Sequence, residues 1–278
     1  MKKLFFALAI SCSLLNADAQ LTTPQPSPTT TVKQNFGLSN VELSYSRPAM
    51  KGRKIFGTLV PFGNVWRTGA NNATTLTFGD EVTIGGTKIP AGKYGLLTIP
   101  DKSSWTIIIS KQTDVTSPAA YKQASDVVRV TAPTSKLKNA VESFTMQFAN
   151  ISATKCELQM SWANTMVTLP IETDVETKVM AQINKVMNDT SSNKPYFNAA
   201  MYYIENNKDL NTALGWLDKA AAANPAGFWI LHQKANALAK LGRKEEAIAT
   251  ANKSITIAKE AKNDDYVALN EKLLATLK

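Results

Sequence analysis

Two short stretches near the N-terminal third of the chain concentrate residues that could bind an anion. YSRPAMKGRKIFG, residues 45–57, carries the cations Arg47, Lys51, Arg53 and Lys54, and NVWRTGANN follows at residues 64–72. An arginine guanidinium is a planar fork of N–H donors that matches a carboxylate or a phosphate. Pro48 and Gly52 mark the first stretch as a loop. Together the two stretches predict an electropositive site.

The second stretch adds an aromatic ring, a cation, a glycine turn and amide donors. If the two loops meet in space, the expected ligand-binding residues are Arg47, Lys51, Arg53, Trp66, Arg67 and Asn71. We then expect Arg47→Ala and Arg67→Ala to lose anion binding without unfolding. The alternative is that Arg47 pairs with Glu42, that Trp66 packs in the core, and that the lysines face water.

The sequence contains few residues that could form a metal, nucleotide or hydrolase site. His232 is the single histidine, and Cys156 is the single cysteine outside the N-terminal leader, too few for the common zinc sites. P-loop and dinucleotide fingerprints are missing. We therefore expect no metal and no cofactor. A hydrolase would need a general base, for which Glu42 or Asp114 is the candidate.

The N-terminus has the three-part pattern of a secretory signal peptide. Lys2 and Lys3 precede an apolar run, and the small residues Ala17 and Ala19 follow it. We predict a signal peptide over residues 1–19, cleaved after Ala19, and a periplasmic or extracellular protein of a Gram-negative envelope. A lipoprotein acylated at Cys12 is the disfavoured alternative. No stretch is long enough to predict a transmembrane segment.

The positive charge belongs mostly to the first part of the mature chain. Residues 20–172 carry fifteen Lys and Arg against nine Asp and Glu, whereas residues 173–278 carry fourteen against twelve. A basic domain suggests nucleic acid, but export and the absence of a nucleic-acid-binding motif argue against it. An anionic small molecule or glycan fits the predicted location better.

The chain divides by its residue patterns into a linker, a β-domain and a helical region. Residues 20–32 are rich in Pro and Thr and predict an extended linker. Nine short alternating or apolar segments follow over residues 33–172, among them 41–45, 127–130, 144–148 and 156–162, with Gly85-Gly86 as a hairpin turn. They predict an all-β antiparallel sandwich or barrel. In the segment 156–162, CELQMSW, Cys156 alternates with Leu158 and Trp162, which predicts a small buried hydrophobe.

From residue 173 to 278 the apolar spacing becomes helical. Thr173 and Glu176 have the spacing of a capping box. Two tetratricopeptide-like repeats are predicted at about 194–227 and 228–261, with Ala213 and Ala247 separated by the 34-residue period, and a capping helix follows. Because such repeats present a concave surface, we expect a protein partner.

Several phrases also resemble a known family. SRPAMKGRKIFG, LVPFGNVWRTGANNATTLTF, VTIGGTKIPAGKYGLLTIP and WTIIIS, in this order, closely resemble the exported bacterial family known as domain of unknown function 2911, over about residues 33–172. The segment after WTIIIS departs from the family because it lacks a Trp-Gly phrase. The resemblance implies export and helical repeats behind the β-domain. It implies no activity, since the family has no established reaction.

Three functions are therefore open at this point. The first is an exported binding or scaffold protein, whose β-domain holds the anion and whose repeats bind a protein. The second is a hydrolase acting on an anionic sugar or ester. The third is a structural envelope component without a ligand. A cleft with arginines and aromatic rings but no acid favours binding, an acid of raised pKa beside the arginines favours the enzyme, and the absence of a cleft favours the third.

Overall fold

The structure is a computed structural model that describes residues 23–190 and 193–278. The predicted signal peptide, including Cys12, and the start of the predicted linker lie outside the described residues. The chain forms two compact units, one ending at Val175 and one spanning Glu176–Lys278. No helix in the described part of the chain is both long and apolar enough to cross a membrane.

The first unit is a nine-stranded antiparallel sheet. The strands are β1 (Thr29–Phe36), β2 (Ser39–Ser46), β3 (Thr75–Phe78), β4 (Val82–Ile84), β5 (Thr87–Ile89), β6 (Gly92–Pro100), β7 (Ser104–Ser110), β8 (Asp126–Ala149) and β9 (Lys155–Glu172). Their order in the sheet is β1-β2-β3-β6-β7-β8-β9-β4-β5.

Strand β8 joins the two halves of this sheet. Its first part pairs with β7 through Pro133, and its second part pairs with β9 from Thr134 onward, with two breaks of register. The two halves face each other, because the Tyr45 hydroxyl on β2 donates to the Met146 carbonyl at 3.2 Å and accepts from the Met146 N–H at 2.8 Å. The first unit is therefore a β-sandwich, as predicted.

The core lies between the two halves and follows the alternation of the strands. On β2, Val41, Leu43 and Tyr45 are buried, whereas Glu42 and Ser44 are partly exposed. The largest fully buried side chains belong to the same core: Trp105, Trp162, Phe78 and Phe144.

One turn and one strand boundary test the sequence patterns directly. Gly85 and Gly86 have φ of 56° and 78° between β4 and β5, which confirms the predicted hairpin turn. Strand β1 begins at Thr29, inside the segment predicted to be a linker. Three of its residues are threonines, which suit a strand, and it pairs with β2 along its whole length.

Six helices follow the sandwich in the part of the second unit that the structure describes. They are α1 (Glu176–Asn188), α2 (Tyr196–Glu205), α3 (Leu210–Ala223), α4 (Phe228–Lys240), α5 (Lys244–Glu260) and α6 (Asp264–Thr276). Helix α1 starts later than the predicted capping box requires, because the Thr173 hydroxyl donates to the Glu81 carbonyl of the β-domain at 3.1 Å.

A buried polar network connects α4, α5 and α6. The Nδ1 of His232 lies 2.9 Å from the Oδ1 of Asn270, and the Nδ2 of Asn270 donates to the Ser254 hydroxyl at 2.9 Å. Ser254 in turn donates to the Phe228 carbonyl at 2.7 Å. The single histidine is therefore a structural residue of the helical unit, held among satisfied partners.

Candidate functional site

The Trp66–Gly69 loop is fixed against strand β6. Trp66 and Thr98 exchange backbone hydrogen bonds of 2.7 and 3.0 Å, so the loop adds a short bridge to the sheet. At Gly69, a Cβ would lie 3.0 Å from the Ser46 carbonyl and 3.1 Å from the Thr74 hydroxyl. The loop therefore packs too closely onto its neighbours to admit a side chain at this position.

Thr68, in the middle of the loop, has a strained backbone. Its φ is 55°, a left-handed conformation that a β-branched residue rarely adopts, and its side chain is completely buried. The Thr98 hydroxyl lies 3.1 Å from its hydroxyl, and Thr74 donates to its carbonyl at 2.7 Å. Strain of this kind persists where the surroundings over-determine it, and it is frequent at ligand-binding sites.

Trp66 is part of an aromatic cluster between the two halves of the sandwich. Its ring stacks on that of Trp162, with centroids 5.9 Å apart and planes inclined by 17°. Its ring centroid also lies 5.0 Å from that of Phe144 and 6.1 Å from that of Trp105. The indole N–H donates to the Gly69 carbonyl at 3.0 Å. The predicted alternative of a packed Trp66 is thus partly realised, although one side of the ring borders open space.

That open space is a cavity of about 270 Å³ lined by residues of both predicted loops. Arg53 comes from the first loop, and Trp66, Arg67 and Gly69 come from the second. Trp162 contributes a second ring from β9. The structure thus brings Arg53, Trp66 and Arg67 together, as the sequence predicted.

A second cavity, of about 440 Å³, adjoins the first. The two share the residues Leu59, Val60, Trp66 and Arg67. The residues that line only the second cavity are Pro61, Val65 and Pro118, with the uncharged polar residues Asn64 and Ser117. Their combined size suits a small organic molecule. We call the first the cationic cavity and the second the apolar cavity.

Arg67 lies at the boundary between the two cavities. Its Nη1 donates to the Thr116 carbonyl at 2.7 Å. Its Nε is buried and has no hydrogen-bond partner among the described residues. The Thr116 carbonyl thus orients a guanidinium that lines both cavities, where an acid group can pair with it.

The Thr116 carbonyl accepts from Arg67, and the segment that follows Thr116 is held at Tyr121 by a charged cluster. The Tyr121 hydroxyl donates to the Oδ2 of Asp126 at 2.5 Å, and the Nε of Arg129 donates to the same oxygen at 2.9 Å. Burial of the ring and the hydrogen bond to Asp126 both raise the pKa of the Tyr121 phenol. The phenol therefore stays protonated at neutral pH and remains a donor.

The other predicted site residues lie outside the lining of both cavities. Arg47 donates from Nε to the Phe144 carbonyl at 3.2 Å and from Nη2 to the Thr145 hydroxyl at 2.9 Å, so it bridges the two halves of the sandwich. Asn71 donates to the Ser27 carbonyl at 2.9 Å. The Lys51 side chain is exposed, and its backbone N–H donates to Glu142.

Arg53 differs from these residues because it is both held by the backbone and open to solvent. Its Nε donates to the Met50 carbonyl at 2.9 Å and its Nη2 donates to the Ala49 carbonyl at 2.6 Å. The loop that carries these carbonyls is fixed to β8 by the Met50 N–H, which donates to Glu142 at 2.8 Å. The guanidinium is thereby oriented before any ligand arrives.

Acidic side chains are missing from the walls of both cavities as far as the chain is described. Glu42 lies on β2 opposite Lys33 and Thr77, and Asp114 is exposed. Neither candidate base borders the arginines. The described residues also include no cluster of three or more His, Cys, Asp or Glu that could hold a metal ion.

Cys156 is not part of the site. The thiol is buried and unpaired, and burial raises its pKa to about 11. It packs as the small hydrophobe that its alternation with Leu158 and Trp162 predicted.

Three features of the site were not found from the sequence. Thr68 gives no local signal of strain, and Ser117-Pro118 lies about fifty residues from Arg67 in the chain. Trp162 was recognisable as a residue facing inward, from the alternation of CELQMSW. Its position against Trp66 depends on the pairing of β9, which no local pattern predicts.

Comparison with known proteins places the sandwich in a family. The family model described as "Protein of unknown function (DUF2911)" matches residues 27–171, just over half of the chain. No curated protein and no solved structure matches the chain. The match starts two residues before β1 and ends within β9, so it covers the sandwich and both cavities. The chain therefore belongs to the DUF2911 family.

Proposed function

We propose that the β-sandwich binds an anionic small molecule or glycan in the cationic cavity. The observation that carries this proposal is the lining itself: Arg53 and Arg67 border one cavity of about 270 Å³ together with Trp66 and Trp162. Two arginines supply forked donors for an acid group. The indoles supply flat apolar walls against which a ring or chain can pack.

Binding is better supported than the alternatives. A hydrolase of the expected kind needs an acid or base next to the substrate, and the described lining of both cavities holds neither Asp nor Glu. A structural component without a ligand gives no reason for the strained backbone of Thr68 in a loop that lines a cavity with two arginines. We retain both as alternatives that the experiment below separates.

The experiment is a thermal-shift screen of the purified protein against phosphate, sulfate, uronic acids and dicarboxylates, in low and in high salt. A ligand that binds only the folded state raises the melting temperature with its concentration. We expect one class of anion to give a shift that survives moderate salt. The shift should disappear in Arg67→Gln and in Arg53→Gln.

Lys54→Gln is the matched control for these variants. Lys54 is exposed, belongs to the same loop as Arg53 and does not line the cavity. Lys54→Gln therefore removes one positive charge, as the two arginine variants do, but leaves the cavity wall unchanged. Shifts that salt abolishes for every anion alike would contradict the proposal. So would an equal loss of binding in Lys54→Gln and Arg67→Gln.

For the helical unit we propose two tetratricopeptide-like repeats that bind a protein partner. Helices α3 and α5 begin 34 residues apart, at Leu210 and Lys244, and Ala213 and Ala247 are completely buried at the same position of each. Crosslinking in cells followed by identification of the crosslinked protein tests this. Recovery of the same partners by a protein that lacks residues 176–278 would contradict it.

We also propose that the chain is exported. The support is the charged, apolar and small-residue pattern of residues 1–19. Sequencing the N-terminus of the protein from the producing cells tests it. A mature chain that starts at Gln20 is the expected result, and a chain that retains Met1 in the cytoplasm contradicts it.

A further inference from the structure

Resting on the proposed anion site, we infer that the ligand is an amphiphilic organic acid, with an apolar chain or ring next to its acid group. The cationic cavity would take the acid group, and the apolar cavity would take the apolar part. This inference narrows the ligand from anions in general to one chemical class.

The first step is the different lining of the two cavities. Arg53 lines only the cationic cavity, and Arg67 lines both. In the apolar cavity, Asn64 and Ser117 add only uncharged polar groups to aliphatic and proline side chains. A hydroxyl-rich sugar ring or a doubly charged inorganic anion would lose water there without gaining enough hydrogen bonds.

The second step is the position of the shared residues. Leu59, Val60 and Trp66 border both cavities, so apolar surface continues from one cavity into the other next to Arg67. Leu59 is 43% exposed, so a ligand in either cavity can reach its side chain. A ligand chain running past Leu59 would cover this surface while its acid group stays at the arginines.

The third step is the hydrogen-bond state of Arg67. Its Nη1 is already used by the Thr116 carbonyl, which fixes the guanidinium at the boundary. Arg67 and Arg53 both line the cationic cavity. Their guanidinium groups can pair with a carboxylate there while the attached carbon chain leaves toward the apolar cavity.

The test is a calorimetric titration of the purified protein with straight-chain carboxylates of increasing length, from butyrate to octanoate, and with glucuronate. Each methylene that enters the apolar cavity should tighten binding roughly fourfold. Glucuronate carries the same single charge and should bind at least about tenfold more weakly than octanoate.

Two sets of variants test separately the binding of the acid group of the ligand and the binding of its apolar tail. Arg67→Gln should weaken every carboxylate by about tenfold or more, because it removes a charged hydrogen bond. Leu59→Asn and Pro61→Ser should flatten the dependence on chain length and leave butyrate affinity nearly unchanged. Both tail positions are exposed, and an unchanged melting temperature verifies that the variants are folded.

The outcomes distinguish this inference from the proposed function. If affinity does not rise with chain length, or if glucuronate or phosphate binds Arg67 as tightly as octanoate, the amphiphile inference is wrong while anion binding stands. If neither carboxylates nor any other anion binds, the proposed function fails with it. A rise with chain length that survives in both Leu59→Asn and Pro61→Ser places the tail elsewhere and overturns the inference.

Discussion

Arg47 and Arg67 belong to the two predicted anion-binding stretches, residues 45–57 and 64–72, yet their guanidinium groups make different contacts. Arg47 donates two hydrogen bonds across the sandwich, to the Phe144 carbonyl and to the Thr145 hydroxyl. Arg67 donates one hydrogen bond to the Thr116 carbonyl, and its side chain lines both cavities. The expectation that both variants lose the anion without unfolding must therefore be revised for Arg47.

Arg47→Met is expected to lower the free energy of unfolding by about 1–3 kcal/mol, because it removes two hydrogen bonds and leaves the Phe144 carbonyl without this donor. Ligand affinity should stay within a factor of about two, since Arg47 lines neither cavity. Urea unfolding and a carboxylate titration measure the two quantities. Lys54→Met is the control, with less than about 0.5 kcal/mol of change. A stable Arg47→Met that has lost binding would restore Arg47 to the site.

Cys156 should be unreactive in the folded protein. Its pKa of about 11 leaves almost no thiolate at pH 8, and the side chain is buried. A thiol reagent such as dithionitrobenzoate should react only after urea is added. Rapid reaction without denaturant would contradict this assignment.

The same pKa shift predicts a dependence of stability on alkaline pH. Because the pKa of the Cys156 thiol in the folded state lies above its ordinary value of 9.0, unfolding releases a proton between about pH 9 and 11. The contribution of Cys156 is thus complete below pH 9 and is lost as the pH rises toward 11. The difference in unfolding free energy between the wild type and Cys156→Ala should shrink over this range, and a constant difference would contradict it.

For single residues, the sequence indicates which side chains could bind an anion better than it predicts which groups they contact. Arg53, Trp66 and Arg67 were correctly grouped because two loops close in sequence carry them. Arg47 was grouped with them for the same reason, although its partners, Phe144 and Thr145, lie almost a hundred residues away. No local pattern reports which loop faces which strand across a sandwich.

Among the elements, the helical unit depends on a side-chain network rather than on apolar packing alone. Asn270 is completely buried and links His232 on α4 with Ser254 on α5. It also donates to the Tyr266 carbonyl within α6 at 2.7 Å. Removing the amide leaves several buried groups without a partner.

Asn270→Ala should therefore lower the free energy of unfolding of the helical unit by about 2–3 kcal/mol. Far-UV circular dichroism during urea unfolding reports the helices selectively. Asn252→Ala, at an exposed position of α5, is the control and should change stability by less than about 0.5 kcal/mol. Equal stability of the two variants would show that the network contributes little.

Local sequence patterns predict where several strands lie, but not how long a strand is or which strand it pairs with. Alternation located β2, and paired glycines located the hairpin of β4 and β5. The segments 127–130 and 144–148 were expected to be separate strands, but they are the two ends of β8. Between them, Thr134, Ser135 and Lys136 pair with β9. Such backbone pairing of polar residues is not visible in hydrophobic periodicity.

For the whole molecule, both cavities belong to the first compact unit. Every lining residue of both precedes Val175, where the division between the units falls. The helical unit has its own core of buried apolar residues, including Leu217 and Leu238. The proposed ligand binding and the proposed protein binding therefore belong to different units.

A chain that ends at Val175 should fold and bind carboxylates with the affinity of the full chain, within a factor of about two. The physical reason is that the truncated chain keeps every described residue that lines either cavity. Calorimetric titration of the two proteins side by side measures this. Folding of the truncated chain with loss of binding would mean that the helical unit contributes to the site.

The most direct test of anion binding between Arg53 and Arg67 is a crystal structure of the protein with bromine-labelled octanoate. The anomalous signal locates the bromine, and the electron density locates the carboxylate. The expected result is a carboxylate within hydrogen-bond distance of Arg53 and Arg67, with the bromine near Pro61 and Pro118. A carboxylate bound at any other arginine, with both cavities free of the compound, would contradict the account.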